Sequence, residues 1–394
     1  MSDLKIFCEG IEPAAFEQIQ NLASYEAYGD SKIRIMPDCH AGKGCTVGTT
    51  MTIHGKVTPN LVGVDIGCGM LVVEIGPVQV SFEKMERIIS RKIPSGMNIR
   101  TKPVPETEEA LALVDALCCK HSSGERPYNG LSIGTLGGGN HFIEIDCDDD
   151  GNMYLVIHTG SRNLGKKVCD YYQLVAEKEC FEAKDTAAKE LIARLKAEGH
   201  EKDIHTELGK LPKVVRGPAD PLAYLSGRSF DEYIHDMDLC QRFAELNRKT
   251  IARVITEGLK LEPVGEWQTV HNYIDIENMM LRKGSISARE GERVIIPMNM
   301  RDGSLICIGK GNPDWNFSAP HGAGRLMSRA EAVRRIELSD FRKDMEGIAS
   351  WSVCDTTVDE APGVYKPMGS IVRQIEPTVR IEKIIRPVYN YKAH

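Results

Sequence analysis

The first eighty residues alternate short apolar, β-branched runs with glycine-bearing turns, a pattern that predicts strands. The run VTPNLVGVDIGCGMLVVEI carries glycines at 63, 67 and 69, which predicts close backbone approach inside a sheet. Residues 81–93 and 106–119 place apolar side chains at helical spacing. Residues 129–160 return to strands around a glycine cluster, and 165–200 form one long helical stretch. Its later part, EAKDTAAKELIARLKAEGHEK, sets opposite charges four apart and predicts a solvent-facing helix. Residues 201–228 read as irregular and 229–258 as helical. Strands follow at 266–276, at 292–309 and near 350, with a further helix over RLMSRAEAVRRIELSDFRKDME. No internal repeat, low-complexity segment or linker interrupts the chain, and its unusual motifs run from residue 38 to residue 392. The pattern predicts a mixed α/β fold with sheets at the core, as one domain spanning 1–394.

Composition narrows the class. With 394 residues, 42% hydrophobic and 27% charged, the chain is an ordinary globular one. No run reaches the roughly 18 uncharged apolar residues of a membrane span. The start, MSDLKIFCEG, lacks the basic and apolar regions of a signal peptide, so the expected location is the cytoplasm. Twelve cysteines without a CxxC pair, two of them adjacent at 118 and 119, fit neither a disulfide framework nor a zinc ribbon. Most are expected to be buried thiols. The net charge of -7 excludes a broad basic face, so any nucleic acid must be held in a local cleft.

Five residues carry metal-ligand chemistry. Asp65 and Cys68 are spaced D-x-x-C, one hard oxygen and one soft thiolate. Taken alone, the motif reads as a buried cysteine beside a turn aspartate. His141 follows three glycines in GTLGGGNHFIEI, a loop whose free backbone N–H groups suit a phosphate; a glycine-rich hairpin with a satisfied histidine has the same signature. His158 ends the strand YLVIHTGSR, with Arg162 placed for a phosphate. His271 ends another strand, before Asn272. Three histidines and an Asp/Cys pair, all at strand ends or glycine turns, exceed what one tetrahedral ion needs. They suit a pair of borderline ions (manganese, zinc, iron or cobalt), with Cys68 as the natural bridge. His321 opens HGAGR, where small residues leave the imidazole accessible and Arg325 and Arg329 fall four apart. That arrangement suits contact with, or attack on, a phosphate. His40, in MPDCHAGKG, is a further cleft-lining residue.

Taken together, MPDCHAGKG, DIGCGM, GGGNHFIEI, HTGSRNLG, the His271–Asn272 pair, RKGS, HGAGR and EAPGVYK resemble the RtcB family of RNA ligases over nearly the whole chain. The resemblance implies an α/β fold of central sheets surrounded by helices. It implies joining of RNA 2′,3′-cyclic phosphate or 3′-phosphate ends to 5′-hydroxyl ends, with GTP and two Mn²⁺ ions, in RNA repair, splicing or tRNA processing. By resemblance, Asp65, Cys68 and His141 hold one ion, and Cys68, His158 and His271 the other. His321 takes GMP, which then activates the RNA 3′ end. Guanine-nucleotide contacts fall to Asn140, His141, Phe142, Ile143, Glu144, His271, Asn272, Pro297, Met298, Asn299, Met300, Ser304, His321, Gly322, Ala323, Gly324, Tyr365 and Lys392. RNA phosphates fall to Arg162, Arg325 and Arg329.

The chain departs from the family pattern at PMNMRDGS, where a glycine-rich loop is typical and where Met298, Arg301 and Asp302 are expected to narrow or recharge the nucleotide pocket. It departs also at Pro320 and in the ending Lys-Ala-His. These features resemble a divergent subgroup associated with a peptide-release-factor homologue. Two other classes compete: a metal-dependent phosphoesterase or cyclic phosphodiesterase, which has no use for His321, and a non-enzymatic RNA-binding protein, whose extended basic face is missing.

Overall fold

The apolar runs pair into two principal sheets in the computed structural model, which describes residues 2–42, 44–210 and 220–393. Lys43, His394 and the 211–219 part of the stretch expected to be irregular lie outside the described residues. One sheet has seven strands in the order Arg293–Asn299, Gly303–Gly309, Val379–Lys392, Phe142–Cys147, Met153–Thr159, Gly69–Gly76 and Gly265–Val270. Every neighbouring pair in it is antiparallel. The other has five strands, Asp3–Ile6, Lys32–His40, Val47–Thr52, Met280–Lys283 and Asn272–Asp275, with only the first pair parallel.

Period-two alternation gives the seven-stranded sheet two apolar faces. Leu71, Val73, Ile143, Ile145, Leu155 and Ile157 pack on one side against Met85 and Ile89 of the helix Phe82–Lys92 and Ile251 and Ile255 of the helix Gly227–Leu259. Met70, Val72, Phe142, Val156, Ile295 and Ile385 form a separate core on the other side. That second core draws on strands from opposite ends of the sheet, because the sheet curls. The Ile295 amide donates to Thr269 Oγ1 at 3.1 Å, and Arg293 lies 3.9 Å from the ring centroid of Trp267, linking the two edge strands. Gly69 makes the curl possible: a Cβ there would stand 2.5 Å from the Thr269 carbonyl oxygen.

Several elements differ from expectation for local reasons. Thr58-Pro59 starts a one-turn helix, Pro59–Val62, inside the apolar stretch read as strand. Arg126–Ser132 is helical where strand was expected, again with proline in its first turn. The helix expected over 325–346 is two helices, Arg329–Arg335 and Leu338–Asp344, separated by extended backbone at Ile336 and Glu337. The strand expected near 350 is a single bridge from Ala349 to Tyr389. Helices Pro13–Ser24 and Met368–Ile375 were not anticipated, although Ala15, Ile19 and Leu22 fall on one face. The charged helix is as expected, with Lys189 paired to Asp185 and Lys178 to Glu182. All the cysteines are free and most are buried. Among the described residues, no helix is long and apolar enough to cross a membrane.

Candidate metal centre and nucleotide pocket

Strand register assembles the donors. Four consecutive strands of the curled sheet finish at one edge: Phe142 is opposite His158, and Gly69 is opposite both Thr159 and Val270. Cys68, His141, His158 and His271 are each the flanking or next-to-last residue of one of these strands, so they stand side by side. Asp65 precedes them on the turn leading to Gly69. Gly160 is required next to it, because a Cβ there would overlap the Asp65 carboxylate.

The donor atoms form a chain. Asp65 Oδ2 lies 3.0 Å from His141 Nε2, which lies 3.4 Å from Cys68 Sγ; Cys68 Sγ lies 3.3 Å from His158 Nε2, which lies 3.4 Å from His271 Nε2. The Nδ1–H groups of His141 and His158 donate to the carbonyls of Leu136 (2.9 Å) and Asn140 (3.2 Å). Their Nε2 atoms therefore turn lone pairs inward. Lone pairs facing a carboxylate and a sulfur call for a cation between them. The three separations along His141, Cys68, His158 and His271 match the edges of a tetrahedron around an ion with 2.0–2.3 Å bonds, about 3.3–3.8 Å, and the Asp65–His141 separation is shorter. Burial, together with the neighbouring imidazoles, pushes His158 and His271 well below the ordinary histidine value, which keeps them as neutral ligands. Burial works against the Asp65 charge, but a positive charge at His141, beside the place an ion would take, outweighs it and holds the carboxyl at about 2. Burial and then Asp65 push the Cys68 thiol up, a proton that a bound cation would displace.

The helix Gly227–Leu259 braces this arrangement with two adjacent polar residues. Asn247 takes the amides of Gly134 (2.7 Å) and Thr135 (3.1 Å) on its oxygen and donates to Thr135 and Gly160 carbonyls. Arg248, 1% exposed, donates to the carbonyls of Gly67 (2.8 Å) and Thr159 (2.9 Å) and to Gln268 Oε1 (2.8 Å). Three ligand-bearing segments are thus tied to one helix. Neither residue was singled out from sequence. The available signal was Asn247 itself, a polar residue on the apolar stripe of Cys240, Ala244 and Ile251.

His321 adjoins the centre, its ring centroid 4.9 Å from that of His271. Its Nδ1 lies 2.7 Å from Oδ2 of the fully buried Asp38, which also accepts the His321 amide at 3.2 Å. Accepting that Nδ1–H leaves the Nε2 lone pair free for attack. Asp38 falls within MPDCHAGKG, but its 283-residue separation from His321 hides the pairing from sequence. A cavity of about 470 Å³ opens beside His321. It is lined by the expected residues Asn140, Phe142, Glu144, Pro297, Met298, Asn299, Met300, Gly322, Ala323, Gly324, Tyr365 and Lys392, and by His40. Ile143 instead turns into the helix-packed core, Ser304 is buried, and Asn272 lines a smaller adjoining cavity with Asp65 and Cys68. Arg301 pairs with Asp302 (2.9 Å) and Asp344 (2.7 Å), and neither Arg301 nor Asp302 lines the cavity, whereas Met298 and Met300 of that loop do.

The basic residues are less free than their sequence suggests. Glu360, 2% exposed, gathers Lys392 and Arg329 (both 2.6 Å), Arg325 (3.2 Å) and the Tyr365 hydroxyl (2.7 Å). Arg325 and Arg329 line the cavity from that anchor. Arg162 lies elsewhere, packed under Gly137 with its guanidinium bonded to Thr135 Oγ1 (3.1 Å) and the Gly96 carbonyl (3.2 Å). On the cavity's inner wall, burial lifts Glu144 to about 7 against the opposing pull of its bond from Asn390 and the charge of Lys392.

A family model described as tRNA-splicing ligase RtcB matches residues 18–123 and 114–393. The chain is similar to the RNA-splicing ligase RtcB of Escherichia coli K12, 29% identical over 439 aligned positions that cover 99% of this chain and 97% of that protein. It is similar to RNA-splicing ligase RtcB2 of Escherichia coli ATCC 25922, at 26% over 92% of this chain and 87% of that protein. It is also similar to the tRNA-splicing ligase RtcB of Pyrobaculum aerophilum, at 25% over 89% of this chain and 85% of that protein.

Proposed function

Because the chain belongs to the RtcB family and is an RNA ligase, we propose that it seals RNA 3′-phosphate or 2′,3′-cyclic phosphate ends to 5′-hydroxyl ends by way of a guanylylated His321. The observation that carries this reading is the free Nε2 of His321, oriented by Asp38 between the five-donor cluster and the cavity. Two Mn²⁺ ions fit the donors, one in Asp65, Cys68 and His141 and one in Cys68, His158 and His271; bound there, they would neutralise phosphate oxygens and the departing pyrophosphate. The donor chain, with Cys68 touching both His141 and His158, supports that division. Since the donors and the pocket draw on residues 38 to 392, we read the whole chain as one functional domain.

His321 Nε2 attacks the α-phosphorus of GTP, the bond to pyrophosphate breaks, and Asp38 stabilises the positive charge gained by the imidazole. The RNA 3′-phosphate then takes the guanylyl group from the histidine, and the RNA 5′-hydroxyl attacks the activated 3′ end and releases GMP. Glu144 supports guanine: a buried carboxyl accepts well from the base's adjacent N1–H and exocyclic amine, where adenine offers an acceptor. Lys392 and Tyr365, fixed by Glu360, complete that side of the pocket. Arg325 and Arg329 are placed for phosphate oxygens.

Intact-mass measurement after incubation with GTP and Mn²⁺ tests the reading. The expected result is a gain of one GMP that is absent in His321→Ala. No adduct with any nucleotide, alongside hydrolysis of a cyclic phosphate, would replace nucleotide transfer with phosphoesterase chemistry.

A further inference from the structure

We propose that Arg87, Arg91, Lys92, Arg100 and Lys102 form a track for the phosphate backbone of the RNA substrate, outside the metal centre. The inference rests on the RNA-ligase reading and extends it to where the strand lies. Residues 87–105 contain five cations and no anion, in a chain whose net charge is -7. Arg91 and Lys92 end the helix Phe82–Lys92, where cations complement the helix dipole. That accounts for those two but not for Arg100 and Lys102, which lie past the helix in a proline-bounded loop.

The fold gathers them. Arg91, Lys92, Arg100 and Lys102 line one groove of about 610 Å³, with Arg253 on its far wall. Its lining carboxylate, Glu257, is paired to Arg253 at 2.9 Å, and the adjoining Glu106 is paired to the same guanidinium at 2.5 Å. Arg87, Arg91, Lys92 and Lys102 are exposed, and none has an ion-pair partner among the described residues. Lys166, Lys178 and Lys189 of the helix Arg162–Ala197, by contrast, each pair with an acidic residue four positions away. Like charges kept together without counter-ions are a footprint for a polyanion.

Two contacts join the groove to the site. Arg100 donates to the carbonyls of Ile133 (2.8 Å) and Gly134 (2.7 Å). The amide of Gly96 donates to the Gly137 carbonyl at 2.8 Å, and Ser95 bridges to the same glycine. The segment gripped in this way, 133–137, runs directly into Asn140 and His141. The cationic loop is thus anchored on the segment that leads to the donor cluster, which is where a strand continuing from that cluster would be held.

The test is fluorescence anisotropy of a labelled single-stranded RNA ending in a 3′-phosphate, titrated at several salt concentrations with the full chain and with Arg91→Glu/Lys92→Glu/Lys102→Glu. The variant is expected to bind more weakly, with its log Kd against log salt slope reduced by about 2, at about 0.7 per lost phosphate contact on a single strand. Its GMP adduct and metal content should be unchanged. Reversing Lys178, Lys189 and Lys196, on the charged helix, should leave the slope alone. Wild-type binding with an unchanged slope in the groove variant overturns the track and leaves the ligase reading standing; that outcome would assign the patch to an acidic protein. An equal loss in the Lys178/Lys189/Lys196 variant also overturns it, as non-specific attraction. Failure of the wild-type protein to bind RNA removes both proposals.

Discussion

Replacing Glu360 by glutamine tests whether the nucleotide side of the pocket is built on one buried charge. Burial opposes ionisation of this carboxyl, but Lys392, Arg329 and the hydroxyl of Tyr365 outweigh it and hold it at about 2 against an ordinary 4.5. At about 1.4 kcal/mol per tenfold change in proton affinity, that displacement corresponds to about 3 kcal/mol of stability near neutral pH. Removing one partner of a buried ion pair costs about 3–5 kcal/mol. The lower end applies, because each cation keeps another partner: Arg329 keeps Asp359, Arg325 keeps the Asp359 carbonyl at 2.7 Å, and Lys392 keeps the Asn140 carbonyl at 3.5 Å. Between about pH 2 and 4.5 the unfolded carboxyl binds a proton and the folded one does not, so its stabilisation is complete above that window and is lost as pH falls through it. Denaturant unfolding of both proteins should show a gap of about 3 kcal/mol at pH 7 that shrinks to roughly half at pH 3. A gap below about 1 kcal/mol at pH 7, or one of equal size at both pH values, refutes the reasoning.

Three other outcomes follow from the site. Cys68→Ala should lose both metal ions by elemental analysis and all ligation; full metal content would remove the bridging assignment. Asp38→Asn should slow GMP transfer to His321 by at least about 100-fold, measured by the rate of adduct formation, with metal content intact; an unchanged rate would mean that the carboxylate does not orient the imidazole. Arg248→Met should lower unfolding free energy by about 3 kcal/mol in urea, since it strands the carbonyls of Gly67 and Thr159; a loss under about 1 kcal/mol would contradict the bracing role.

The donor cluster was legible because its members are rare residue types at strand ends, and strand ends of one sheet share an edge. His141 and His158 could be matched by their glycine neighbours long before their register was known. The braces were not legible. Asp38, Asn247, Arg248 and Glu360 matter through partners far along the chain: Asp38 meets His321, and Glu360 meets Lys392. Such pairings depend on how strands stack, which period-two patterning does not order. Arg325 and Arg329 show the converse. Their four-residue spacing suggested a helical pair facing phosphate, yet only Arg329 starts a helix, and both are already engaged by acidic partners. The helix start at Pro59 and the helix break at Ile336 were likewise set by local chemistry within an otherwise continuous pattern.

The strand Val379–Lys392 has a consequence for the order of folding. It lies inside the seven-stranded sheet and pairs with Gly303–Gly309 on one side and Phe142–Cys147 on the other. Until residue 392 has left the ribosome, those two strands each keep an open edge able to pair with a stranger. The same strand ends in Lys392 at the pocket wall. A nascent chain can therefore make Asp65, Cys68, His141, His158 and His271, all before residue 272, well before it can complete the cavity wall. Synthesis supplies the donor cluster first and the last wall of the cavity at the end.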